Sequence, residues 1–491
     1  MKTNTELFDL IKSLSSSEKR YFKLNASVQK GVTKYLKLFD LIDSQKIYNE
    51  KALKSFKGNE DLKKNFNFTK NYLAKLIFKS LLNYKNEKST DAKLFNMLQR
   101  CRILFQKALF RQHFKTVKAG KAIAEKCERF GFLLEFIEME RQLTRKEELL
   151  SNDIQKLFEY ELKVLEKIRE INFYKKSISS LLRIYRSTGI IRSEDDEKDL
   201  NETLSVIENR KVNTSMSVTS AERILYAQSI AHELKGDLEL SYSVCVKRFK
   251  LISLNRNIFD ESLYDKYRDS LLSVINSASL CSNFSVSEKH LKILKESSKN
   301  LEIDEIDINI NNLNLNLLKI LNGKIISGKK EVLILAEKYL NIYRNKLTIN
   351  TYNLIVYRLS SSYFFDKNYH EALRILNVYS TVQYSGLSPF LEPYLKMLNI
   401  LIHYELDNYK LLKYMLPSAK KYLKSRKAFH KTEISVLNFI SKMISTKNSN
   451  TDKLKSGLLN DFNNIRNDKY EKNAEYYFNY SKWIKNLLLN K

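Results

Sequence analysis

Ten glycines and three prolines are all that punctuate this chain of 491 residues. Soluble proteins usually carry about 7% glycine and about 5% proline. Strand–turn–strand folds and the loops of α/β folds rely on these residues for positive φ and tight reversals. A chain so poor in both is expected to form long helices joined by short polar loops. Its hydrophobic fraction of 43% is enough to build a core, so a disordered chain is not expected.

Apolar spacing supports helices throughout. In "ELFDLIKSLSSSEKRYFKL", Leu7, Leu10, Ile11 and Leu14 share one helical face. Ser15 and Glu18 form an S-x-x-E capping box that restarts the helix. "TKYLKLFDLI" and "NEKALKSF" read as further helices, and "TKNYLAKLIFKSLLNYK" carries a stripe of Leu73, Leu76, Ile77, Leu81 and Tyr84. Residues 1–88 are therefore expected to be a basic helical head. A long helical stretch follows, with a break expected at Ser151-Asn152-Asp153. Ser193, followed by acidic residues, predicts a helix start, and Thr219 with Glu222 a second capping box. Residues 301–318 alternate with a period of two, yet an Asn-rich helix is expected there.

From residue 89 to 491 the helices come in pairs. The clearest is "NLIVYRLSSSYFFDKNYHEALRILNVY", residues 353–379. It resembles the tetratricopeptide repeat, with Tyr363 at the large position late in the first helix and Ala372 at the small position early in the second. Ser360 replaces that family's early glycine, and the closing proline is absent. Residues 222–249 align through Gly236-Asp237-Leu238, with Ser241 at the small position. Residues 398–423 align weakly, with Leu412 there, and residues 105–132 read as another pair of similar length. The resemblance implies a right-handed α-solenoid with a long groove, since a single helix pair cannot bury its apolar face alone. It also implies that Tyr226, Ile230, Tyr357, Ser361 and Phe364 face the concave side. The head, through "LFDLIKSLSSSEKRYFKL" and "TKNYLAKLIFKSLLNY", is similar to the start of a family of uncharacterised helical proteins of Bacteroidetes-type bacteria. That likeness supports the organisation and implies no activity.

The net charge of +29 is unevenly spread. Residues 1–130 carry 29 basic against 12 acidic side chains, residues 131–400 carry 38 against 36, and residues 401–491 carry 18 against 8. General lysine enrichment does not explain a neutral middle between basic ends. One reading is an acidic partner at the ends, such as nucleic acid, an acidic protein surface or anionic lipid. The other is solvated helix faces. On the first reading the polyanion contacts are Lys63, Lys64, Lys70, Asn71, Lys75 and Lys79 in the head, and Lys420, Lys421, Lys424, Arg426 and Lys427 near the C-terminus.

Catalytic motifs fail one by one. "LNGKIISGKKEV", residues 321–332, has the G-x-x-x-x-G-K spacing of a phosphate-binding loop. Lys330, however, stands where the metal-holding hydroxyl belongs, and the preceding residues look helical, so a turn between helices is expected. "HELKG", residues 232–236, puts Gly236 where a second zinc-ligating histidine is needed. Asp307, Asn309 and Asn311 open like a calcium loop, but Asn312 and Leu318 replace its turn glycine and closing carboxylate. Four cysteines stand far apart with no C-x-x-C pair, which predicts free thiols in a reducing compartment. No secretory signal or membrane span is visible.

The expectation is an all-α protein, with a basic head over residues 1–88 and a degenerate tetratricopeptide-like solenoid over residues 89–491. No cofactor or metal is expected. The leading function is a non-catalytic cytoplasmic scaffold that binds a protein or peptide in its groove, with the basic ends on an acidic surface. The alternative is a nucleic-acid-binding regulator using head and C-terminal end on phosphates.

Overall fold

The structure is a computed structural model and describes residues 5–27, 33–55, 65–86, 89–144, 151–208, 216–298, 302–324, 328–380, 391–445 and 451–489. Among these residues there are 23 α-helices, one short 3-10 helix and no β-strand. None of these helices is long and apolar enough to cross a membrane. The chain divides into two compact units, Met1–Val164 and Leu165–Lys491. The expected border at residue 88 lies inside the first unit.

The first unit begins with α1 (Glu6–Ser13), α2 (Ser16–Ser27), α3 (Thr33–Ser44), α4 (Glu50–Ser55) and α5 (Phe66–Asn86). Their apolar stripes meet in a buried cluster that includes Ile11, Phe22, Leu38, Ile42, Leu73 and Ile77. The Ser15–Glu18 capping box is present: the Ser15 amide donates to Glu18 Oε2 at 2.9 Å, and the Glu18 amide to Ser15 Oγ at 3.3 Å. Helices α6 (Thr90–Gln106), α7 (Phe110–Lys126) and α8 (Phe130–Thr144) pack in sequence. Residues 105–132 thus hold one complete helix, α7, between two turns. Helix α9 (Ser151–Thr188) starts where the break was expected and contains the boundary between the units.

The second unit continues through α10 (Glu194–Glu208), α11 (Val218–Leu234), α12 (Leu238–Leu254), α13 (Asp260–Leu280), α14 (Phe284–Ser297) and α15 (Glu302–Leu321). It ends with α16 (Lys329–Ile342), α17 (Ile349–Phe365), α18 (Tyr369–Ser380), α19 (Glu392–Glu405), α20 (Tyr409–Ser425), α21 (Lys431–Ser445), α22 (Thr451–Arg466) and α23 (Tyr480–Leu489). Neighbouring helices pack in pairs along the chain.

One turn geometry recurs. Ala108, Gly236, Ser282, Lys367 and Asp407 each have positive φ. In each case the next amide donates to the carbonyl five residues back: Leu109 to Leu104, Asp237 to His232, Asn283 to Ala278, Asn368 to Tyr363 and Asn408 to His403, at 2.8–3.0 Å. This is a Schellman ending. Across the turns, residues twelve apart are bridged at the closest approach of the two helices. His113 Nδ1 bonds the Cys101 carbonyl at 2.9 Å, Ser241 Oγ donates to Ser229 at 2.9 Å, and Ser287 Oγ to Ile275 at 3.0 Å. Ser360 Oγ donates to the Ala372 carbonyl at 2.9 Å. Small residues at these positions let the backbones approach, and their hydroxyls satisfy carbonyls already used within a helix.

Thr219 and Glu222 do not cap α11. Ser217 is the cap, its Oγ accepting from the Ser220 amide at 3.0 Å. Glu222 is fully buried and meets Arg248 at 2.7 Å, Lys266 at 3.1 Å and Arg223 at 3.5 Å. A carboxylate placed there by helical phase faces the next two helices, and three cations compensate its burial.

Candidate ligand-binding cavity

A cavity of about 620 Å³ opens inside the second unit. Its wall is built by Leu182 and Tyr185 of α9, Tyr226 and Ile230 of α11, Asn314 of α15, Leu354 and Tyr357 of α17, and Tyr476 with Tyr477 from the segment after the 3-10 turn. The volume falls within the about 300–1,000 Å³ range of small-molecule and peptide-segment sites.

Two ionisable groups stand in it. Arg358 is the only charged residue of α17. Its Nη1 donates to Asn314 Oδ1 at 3.1 Å. No carboxylate of the described residues is within ion-pair distance of it; its electrostatic neighbours are the phenols of Tyr476, Tyr185 and Tyr477. Burial lowers its pKa, but a guanidinium stays protonated in any ordinary protein setting. Glu233 is the second group. Tyr185 OH donates to its Oε1 at 3.1 Å, and Tyr476 OH at 3.3 Å. Burial pushes its pKa up, and the two phenol hydrogen bonds only partly oppose this. The cavity thus pairs a cation lacking a carboxylate with an acid whose charge is held down.

The C-terminal segment completes the wall. Arg192 donates to Glu433 at 2.7 and 3.0 Å and to Glu471 at 2.6 Å, with all three side chains buried. Thr432 Oγ1 donates to Glu471 Oε2 at 2.7 Å. Asn473 Nδ2 donates to the carbonyls of Ile191 and Lys235 at 3.4 and 3.3 Å. A Cβ on Gly236, where φ is +76°, would sit 2.2 Å from Asn473 Oδ1, so only glycine allows this approach. Two residues on, Tyr476 and Tyr477 enter the cavity.

Tyr226, Ile230 and Tyr357 line this one cavity, with the Tyr226 ring also packed against Arg248 at 4.3 Å. Ser361 and Phe364 lie in the core instead, 1% and 2% exposed. Phe364 is covered by Phe478 of the C-terminal segment, ring centroids 5.6 Å apart. Lys63 and Lys64 lie outside the described residues. Lys70 is drawn into the head: its Nζ donates to Tyr48 OH at 2.9 Å and lies 3.5 Å from Glu50. Asn71, Lys75 and Lys79 are exposed on α5. Near the C-terminus, Lys420 donates to Asn438 at 2.9 Å and Arg426 meets Glu392 at 3.5 Å, while Lys421, Lys424 and Lys427 are exposed.

Gly323 and Gly328 both have positive φ, and the residues before them are helix α15 rather than a strand. Gly323 ends α15 in a Schellman turn, and Lys329 forms an ion pair with Asp366. Asp307, Asn309 and Asn311 lie within α15, where Asp307 is 3.4 Å from Arg268. Among the described residues no group of three His, Cys, Asp or Glu side chains is placed to hold a metal ion.

Sequence reasoning missed Arg358, Glu233 and Asn314. A usable signal existed for Arg358: a single charge within an otherwise uncharged 17-residue helix. Glu233 belongs to the "HELKG" stretch set aside as a failed zinc motif. No family model, curated protein or solved structure matches the chain.

Proposed function

We propose that the chain is a non-catalytic helical-repeat scaffold of tetratricopeptide-like type that works in the cytoplasm, receiving a segment of a protein partner in the cavity of its second unit. The observation that carries this reading is Arg358, a guanidinium in a cavity of about 620 Å³ with an amide oxygen and no carboxylate as its printed partner. Leaving a cation in such a place costs stability unless an anionic group completes it. Tyrosine walls supply large, rigid contact area at low entropic cost, and Asn314 offers both donor and acceptor to a peptide backbone.

Selection of displayed random peptides on the full-length protein tests this reading, with Arg358→Met in parallel. The reading expects sequences enriched on the wild type and not on the variant, with the variant at least as stable. Equal enrichment on both proteins, or none on either, would contradict it.

A further inference from the structure

Helix α5 in the first unit has a face that the fold leaves uncovered. Positions 68, 72, 75, 79 and 82 recur at helical spacing and carry Phe68, Tyr72, Lys75, Lys79 and Leu82. Asn71 and Phe78 flank the same face. Phe68 is 66% exposed, Phe78 54% and Leu82 65%, values far from a packed core. The helix has no acidic residue. Lys75 and Lys79 have no ion-pair partner among the described residues. Phe68 and Tyr72 lie nearly parallel, 14° between rings with centroids 6.3 Å apart. Tyr72 is backed by Tyr35 at 4.7 Å, which fixes its plane, and the Lys34 ammonium stands 5.1 Å from the Tyr35 ring.

The order of residues on this face selects its occupant. A membrane-surface helix keeps its cations on one side and its apolar groups on the other, so that the apolar side enters the acyl chains. Here the lysines lie between the aromatics, and burying the rings would bury the ammonium groups too. Single-stranded nucleic acid needs the reverse arrangement: π-faces for unstacked bases with cations interleaved for the phosphates. The rise of 1.5 Å per residue sets Lys75 and Lys79 about 6 Å apart along the axis. Duplex DNA hides its base faces, so the exposed rings would have nothing to stack on.

We infer that this face of α5 binds single-stranded nucleic acid, with bases stacked on Phe68, Tyr72 and Phe78 and phosphates held by Lys75 and Lys79. This site is separate from the cavity of the second unit and does not depend on the reading given for it.

The test is fluorescence anisotropy of the full-length chain with a labelled oligothymidylate of about 16 nucleotides, at several salt concentrations. Two double variants accompany it, Phe68→Ala with Phe78→Ala, and Lys75→Gln with Lys79→Gln. All four positions are exposed, and thermal melts establish that the fold is retained. The aromatic variant should bind at least about 10-fold more weakly. The lysine variant should lower the slope of log affinity against log salt by about 1.4, or about 0.7 per phosphate released. A duplex of the same length and polyglutamate should compete poorly. Absence of binding at low salt would overturn the inference, as would wild-type affinity in both variants. Equal competition by polyglutamate would reduce the face to a charge patch and also overturn it. So would binding to vesicles of phosphatidylcholine and phosphatidylglycerol without binding to the oligonucleotide.

Discussion

Arg192 and Glu433 are 241 residues apart in the chain and are joined by two hydrogen bonds, 2.7 and 3.0 Å long, inside the second unit. With Glu471 they form a buried cluster of one cation and two carboxylates. Burial pushes the Glu471 pKa up, but the Arg192 charge and the Thr432 hydrogen bond outweigh this and leave it below the usual glutamate value. A group lowered in this way adds stability above its unfolded pKa and loses it as pH falls through the folded value. Arg192→Met should cost about 3–5 kcal/mol, because two carboxylates stay buried without a counter-charge. It should also reverse the sign: the variant should gain stability from about pH 8 to about pH 5, where its uncompensated carboxyls take up protons. Urea unfolding at several pH values measures both effects.

Glu233 behaves oppositely. Its carboxyl is raised by burial, so it binds its proton more tightly in the folded chain than in the unfolded one. Its contribution is complete below the unfolded pKa and is lost as pH rises through the folded value. Glu233→Gln keeps an oxygen for the Tyr185 and Tyr476 hydroxyls and removes that loss. At neutral pH the variant should be the more stable, by about 1.4 kcal/mol for each pH unit over which the carboxyl's titration is displaced. Stability curves that run parallel from pH 4 to pH 8 would contradict this assignment.

Gly236→Ala should destabilise the second unit by about 2 kcal/mol or more, from the left-handed backbone and from the clash with Asn473. Asn473→Ala should relieve the clash and leave the backbone cost. A double-mutant cycle with a coupling of at least about 0.5 kcal/mol is expected, and strict additivity would refute the contact.

Ser282 takes a left-handed turn position with a side chain exposed to solvent. Ser282→Gly should raise stability by about 0.5–1 kcal/mol, read from the midpoint of denaturant unfolding at unchanged slope.

That turn also shows which parts of the fold were legible in the sequence. The poverty in glycine correctly pointed to helices, but it concealed the turns, because Ala108, Ser282, Lys367 and Asp407 take the conformation that glycine usually marks. The pair α13–α14 was missed for this reason, although Ser287 bridges it as Ser241 bridges α11 and α12. Local capping patterns were read with mixed success. Ser15–Glu18 and Thr219–Glu222 share one spacing, yet Glu222 turns inward to Arg248, and only the neighbouring helices decide that. The cavity was least accessible, since Arg358, Glu233 and Tyr476 come from distant segments and their meeting follows from helix stacking and the Arg192 cluster.

The central claim is that the cavity of the second unit receives a partner. The most direct measurement is photo-crosslinking in cells with p-benzoylphenylalanine in place of Tyr226, using Tyr414, 80% exposed and not among the cavity's lining residues, as the control position. The account predicts a discrete adduct from position 226 that is absent from position 414 and is lost when Arg358→Met is added. No adduct from position 226, or the same adducts from both positions, would contradict it.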